Sequence, residues 1–235
     1  MAKKAASSHM TVPEQVFGGI FFVLYFLALP LAADPFFTEL SRLLGFDLPD
    51  NVRNLIVYYL LFALTLVIFW NYLERTTRYF FSNFWKTVGA ILTGTVGFYG
   101  LNEISSRVLD LIFGSMTNLN DTAISTQIQD APLSTMMIIL FLAPFVEDTL
   151  FRGYVFGNLR PINRIAAYIV SCLLFAFLHV WQFIVIQRDL SYLPLMLQYI
   201  APGLAFAWTY EKSGTLWGSI LLHTVVNALA AWTVL

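Results

Sequence analysis

Charge is what this chain has least of. Only 11% of its 235 residues are Asp, Glu, Lys or Arg, against the ~25% of a soluble domain. So few charges cannot cover a soluble surface, which excludes an ordinary water-soluble fold. Cysteine is nearly absent: Cys172 stands alone, so an intrachain disulfide is excluded. Gly-x-Ser-x-Gly and His-Glu-x-x-His motifs are both missing. There is no basic stripe, so nucleic acid is not an expected partner. No internal repeat stands out, which argues against an inverted-repeat transporter.

What is there is apolar surface. The chain is 58% hydrophobic and holds 22 Phe. That composition reads as a multi-span membrane protein with lipid as its first partner. Residues 1–9 (Met-Ala-Lys-Lys-Ala-Ala-Ser-Ser-His) read as an expression leader, with Met10 as the natural start. Setting them aside leaves 11 basic residues against 14 acidic, a net charge of -3, and only two histidines, His179 and His223. Residues 10–235 are expected to form a single integral-membrane domain.

The expected architecture is all-α, a polytopic bundle of about seven transmembrane helices. They are placed near 15–33, 52–73, 84–113, 133–158, 163–185, 192–210 and 215–235. Residues 34–51 and 114–132 are expected as polar loops. Arg75, Arg78, Lys86, Arg160, Arg164 and Lys212 fall at one set of helix ends, and the 114–132 loop has no Lys or Arg. By the positive-inside rule this puts the N-terminus in the cytoplasm and the C-terminus outside, with Arg188 as the one counter-signal. A prokaryotic inner membrane is the expected location. On the third helix Gly89, Thr93 and Gly97 are four apart, a spacing that predicts a face for close helix packing. Glu103 and Arg107, also four apart, are expected to pair.

The chemistry is expected on the later helices, about 133–235. Glu147 and Asp148 are adjacent inside an apolar run, with Arg152 close behind. Ionisable groups at that depth are costly and default to function. Asp148 and Arg152 share a helix face, so the economical reading pairs them and leaves Glu147 free. A purely structural ion pair is the alternative. Pro144 removes one backbone hydrogen bond three residues before Glu147 and predicts a kink that helps admit water. Phe175 precedes His179 by four residues, so its ring can hold the imidazole in place. A lone histidine of this kind is also consistent with a satisfied core residue. His223 and Asn227 are four apart on the last helix. They read either as donors to a developing negative oxygen or as helix-to-helix hydrogen bonds. At about 1.5 Å per residue, Glu147, His223 and Asn227 lie at overlapping depths, and His179 somewhat further outward. Cys172 is about two turns from His179, too far for a direct hydrogen bond, so cysteine proteolysis is not favoured.

Together these segments, Glu147-Asp-Thr-Leu-Phe-Arg152, Phe175-Ala-Phe-Leu-His179 and His223-Thr-Val-Val-Asn227, resemble the three motifs of the CPBP family, the CAAX proteases and bacteriocin-processing proteins also called Abi. The family pattern is Glu-Glu-x-x-x-Arg, Phe-x-x-x-His and His-x-x-x-Asn, in this order. Asp148 departs from it, being shorter than the usual Glu by one methylene. The resemblance implies an intramembrane endopeptidase acting on a membrane-associated or lipidated peptide. It implies that Glu147 activates water with His179, that His223 and Asn227 stabilise the oxyanion, and that Asp148, Arg152 and Phe175 support them. No cofactor is firmly implied. Zn2+ is the alternative, held by Glu147, His179 and His223, since two histidines and a carboxylate suffice for catalytic zinc. Two other functions stay open: a non-catalytic relative acting as a regulatory or immunity protein, and, with less support, a proton-coupled transporter.

Overall fold

The computed structural model describes residues 10–234, and the expected leader at 1–9 lies outside the described residues. Among them there is no strand. Nine helices follow in order: α1 Val12–Leu44, α2 Asp50–Ile68, α3 Trp70–Ser82, α4 Phe84–Phe113, α5 Leu119–Asp130, α6 Pro132–Leu159, α7 Arg164–Gln187, α8 Leu190–Ser213 and α9 Leu216–Trp232. Five of them, α1, α2, α6, α7 and α8, are long and apolar enough to cross a membrane. With the 30-residue α4 and the shorter apolar α9, they make the seven rods expected of an all-α membrane bundle. Large apolar side chains such as Val67, Leu111 and Leu133 point outward, as a lipid-facing surface requires.

Side-chain caps set several of the boundaries. Thr11 accepts from Glu14 N while the Glu14 carboxylate returns to Thr11 N at 2.7 Å, a capping box that starts α1. The same carboxylate accepts from Tyr72 N at 2.6 Å, capping the first turn of α3 and tying it to the foot of α1. Asn163 opens α7 and Thr215 opens α9 in the same manner. Gly45 and Gly214, with φ near +76°, end α1 and α8 in the left-handed conformation that favours glycine.

Three expectations need correction. Residues 34–44 are helical and continue α1, with Phe37 and Ser41, four apart, buried on one face. Residues 119–130, expected as loop, form α5, opened by Asn118, whose side chain accepts from Asn120 N and Asp121 N. The close-packing glycine of α4 is Gly94 rather than the Gly89, Thr93, Gly97 face. A Cβ on Gly94 would collide with Thr209 Oγ1, whereas one on Gly89 or Gly97 meets nothing within 4 Å. The expected ion pair of Glu103 and Arg107 is present at 2.6 Å on the exposed side of α4.

α6 is the central rod. Every residue from Leu142 to Gly153 is buried, so neighbours surround it on all sides. Its winding widens twice to i→i+5 bonding, at Ile138–Leu142 and Thr149–Phe156, bracketing the short α-helical turn that carries Glu147 and Asp148. Such widened turns recur at functional positions because they re-aim side chains and free backbone carbonyls.

Candidate active site

Pro144 supplies the first constraint. Lacking an N–H, it leaves Leu140 O without its i→i+4 donor and Ile139 O without its i→i+5 donor. Both carbonyls are taken by α9. Thr224 Oγ1 donates to Leu140 O and Asn227 Nδ2 donates to Ile139 O, each at 2.8 Å. On the other flank Ser171 of α7 donates to Phe151 O at 2.9 Å. Side chains of the neighbouring helices thus hold α6 in register where its own ladder is loosened.

Glu147 and Asp148 diverge from this turn. Asp148 is fully buried and faces α9. Its Oδ2 stands 3.0 Å from His223 Nδ1, Ser219 Oγ donates to its Oδ1, and Arg152 Nη1 lies 3.3 Å away. Arg152 is itself fully buried, its guanidinium 4.1 Å above the Phe175 ring and 5.0 Å from that of Phe206, with Nη2 donating to Gly203 O at 3.4 Å. The pairing read from the Asp148 to Arg152 spacing is therefore present, and the carboxylate also fixes His223. An aspartate is long enough to meet all three partners. The His223 ring stacks on Phe206 at 4.5 Å.

Glu147 turns the other way. Its Oε1 accepts from Tyr25 of α1 at 3.4 Å. Its Oε2 is buried without a hydrogen-bond partner and lies 4.0 Å from His179 Nε2. That separation is too long for a direct hydrogen bond and suits a bridging water. His179 ends the first part of α7, where the helix breaks before Trp181. Its Nδ1 lies 2.9 Å from Phe175 O, so Nδ1 is the donor there, and in the neutral ring Nε2 turns its lone pair toward Glu147. The ring is clamped between Phe175 at 4.6 Å and Tyr199 at 4.5 Å. The Tyr199 hydroxyl in turn donates to Asn118 of the segment before α5, at 2.9 Å.

The Phe175 ring thus has His179, His223 and Arg152 around it, at 6.0 Å from the His223 ring, with Glu147 beside His179 and Asp148 beside His223. Asn227 sits one turn further along α9 with its amide on the α6 backbone. Sequence reasoning passed over Ser219 and Tyr25. Ser219 had a signal, being four residues before His223 on one face. Tyr25 had none, as nothing in the sequence relates the first helix to α6.

A zinc ligand set does not fit this arrangement. His223 stands with Asp148 rather than with Glu147 and His179. Among the described residues no three His, Cys, Asp or Glu side chains gather as a metal site needs.

The comparisons bear out the resemblance read from the three motifs. Residues 129–229 match the family described as type II CAAX prenyl endopeptidase Rce1-like. The chain is 28% identical over 117 residues to "UPF0177 protein YxdF" of Lactococcus lactis, covering 49% of this chain and 58% of that one. It is 30% identical over 109 residues to "Putative membrane peptidase YdiL" of Bacillus subtilis, covering 46% and 40%. The chain thus spans about half the length of the curated relatives it matches. No solved structure matches it. The likeness is to a prenyl endopeptidase family and to a putative membrane peptidase, over somewhat less than half of this chain.

Proposed function

We propose that this chain is an intramembrane endopeptidase that hydrolyses a peptide bond with a water held between Glu147 and His179. The observation that carries the proposal is the Glu147 carboxylate oxygen, buried and without a partner, 4.0 Å from a His179 nitrogen whose lone pair is free. A buried polar atom without a partner calls for one. A water there donates one hydrogen to Glu147 Oε2 and the other to His179 Nε2, leaving its own lone pair for the scissile carbonyl. As the C–O bond forms, the water's proton passes to Glu147 and the carbonyl electrons move to its oxygen. His223 meets that oxyanion from Nε2, with Asp148 as the counter-charge on Nδ1. The oxyanion's electrons then re-form the carbonyl, the C–N bond breaks with its electron pair on nitrogen, and Glu147 gives its proton to the leaving amine.

Asn227 is assigned to the same oxyanion through its second amide hydrogen, the first being on Ile139 O. Phe175 packs against both histidine rings, with the Arg152 guanidinium over its face, and holds them in place. The substrate class is a membrane-associated peptide or protein tail, including a lipidated one. The basic helix ends Arg160, Arg164 and Lys212 gather at one end of the bundle, where Glu211 binds both arginines, and we assign that end to the cytoplasm.

The test is reconstitution of the chain in liposomes with prenylated, acylated and unmodified peptides, the products read by mass spectrometry. Cleavage at one bond of at least one peptide, lost in Glu147→Ala, is expected. No cleavage of any peptide, or cleavage that survives Glu147→Ala, overturns the proposal.

A further inference from the structure

We infer that Tyr25 is a positioning residue for Glu147: its hydroxyl holds one carboxylate oxygen so that the other is the one presented to His179. The inference rests on the reading of Glu147 as the base that activates water. It adds to that reading a residue of the first helix, outside the stretch 129–229 that matches the protease family.

The terminal torsion of a glutamate is broad and two-fold, so a carboxylate with no partner on either oxygen is free to swing. Glu147 receives one hydrogen bond among the described residues, from Tyr25 to Oε1. Its length, 3.4 Å, is that of a bond that can tighten once substrate is present. Oε2 is left without a partner, on the side of His179. The choice between two equivalent oxygens is thereby made by α1.

The packing around Tyr25 shows why its hydroxyl stays there. It is 6% exposed and lies in a widened turn of α1, Leu24–Ala28. Its neighbour Phe26 packs against Phe177 at 6.1 Å and stacks on Trp181 at 6.4 Å, both on α7. Phe22, one turn earlier, meets Phe151 of α6 edge-on at 5.5 Å. These aromatic contacts pin the turn against the two helices that carry Glu147 and His179. Tyr58 of α2 also lies within electrostatic reach of Glu147 but makes no hydrogen bond to it, so it serves as the matched comparison.

The experiment uses the full chain in liposomes with a cleaved peptide, comparing the unaltered protein, Tyr25→Phe, Tyr58→Phe and Glu147→Gln. Tyr25→Phe is expected to lower kcat about tenfold or more with KM and thermal midpoint unchanged, the mark of an interaction realised in the transition state. Tyr58→Phe is expected to stay within about twofold in kcat. If Tyr25→Phe fails to fold, 3-fluorotyrosine at position 25, a stronger donor of nearly the same shape, is expected to change kcat and leave KM. A Tyr25→Phe protein with unaltered kcat, a loss confined to KM, or fluorotyrosine without effect on kcat overturns the inference while the protease reading stands. An unaltered protein that cleaves nothing, or a Glu147→Gln protein as fast as the unaltered one, overturns the protease reading and this inference with it.

Discussion

Asp148 Oδ2 stands 3.0 Å from His223 Nδ1, a contact that joins the central helix α6 to the last helix α9. The same carboxylate neutralises the fully buried Arg152. One short acidic side chain therefore orients a histidine and compensates a cation, and its loss affects both.

Asp148→Asn keeps shape but removes the charge. Breaking a buried ion pair by altering one partner costs about 3–5 kcal/mol, so the thermal midpoint in detergent is expected to fall steeply. Asp148→Glu, which keeps the charge and adds one methylene, is expected to keep most of the stability. Differential scanning fluorimetry on the purified variants checks both. Equal midpoints for Asp148→Asn and the unaltered protein would contradict the buried pair.

Arg152 lies over the Phe175 ring and near that of Phe206 as well as paired to Asp148. A lysine carries the charge but not the planar face, and the two are not interchangeable at a stacked site. Arg152→Lys is expected to lose about 1–2 kcal/mol from the lost stacking, measured by chemical unfolding in detergent. A variant as stable as the unaltered protein would show that charge alone is needed.

Thr224 donates to the carbonyl that Pro144 leaves without an α-helical donor. Thr224→Ala is expected to cost about 1 kcal/mol, the net worth of a hydrogen bond to a part-buried carbonyl. In a Pro144→Ala background the main-chain N–H returns to Leu140 O, and the same substitution is expected to cost clearly less. A double-mutant cycle on unfolding free energies measures the difference. Strict additivity would mean the two residues act independently.

Gly94 faces Thr209 Oγ1 and Leu222 so closely that any side chain collides. Gly94→Ala is expected to destabilise by about 1–3 kcal/mol, as overpacking does. Gly89→Ala and Gly97→Ala, which meet open space, are expected to be near neutral. Thermal midpoints of the three variants decide it, and a reversed order would restore the Gly89, Thr93, Gly97 face as the packing surface.

The helices were legible because a ~20-residue apolar run has one meaning in a bilayer. α4 was read to its final residues, Phe84 and Phe113. The continuation of α1 through residues 34–44 was not legible, because its polar residues and Pro35 look like a loop until Phe37 and Ser41 find a surface to bury against. At the site, the face shared by Asp148 and Arg152 followed from helical spacing. That Asp148 also reaches His223 did not follow, since it depends on how α9 docks against α6. The amide of Asn227 on Ile139 O was one of two readings available from the spacing of His223 and Asn227. The widened winding beside Pro144, which frees that carbonyl, has no sequence signature of its own. Tyr25 lay beyond reach for the same reason: long-range contacts between helices are set by packing, and a single sequence does not state them.

The central claim is that Glu147 and His179 act as a unit on one water, and single-turnover peptide cleavage by Glu147→Gln, His179→Gln and the double variant tests it most directly. The account predicts that each single variant loses about 100-fold or more and that the double variant is hardly slower than either, as groups acting together require. Losses that multiply in the double variant, or a Glu147→Gln protein that cleaves at the unaltered rate, would contradict it.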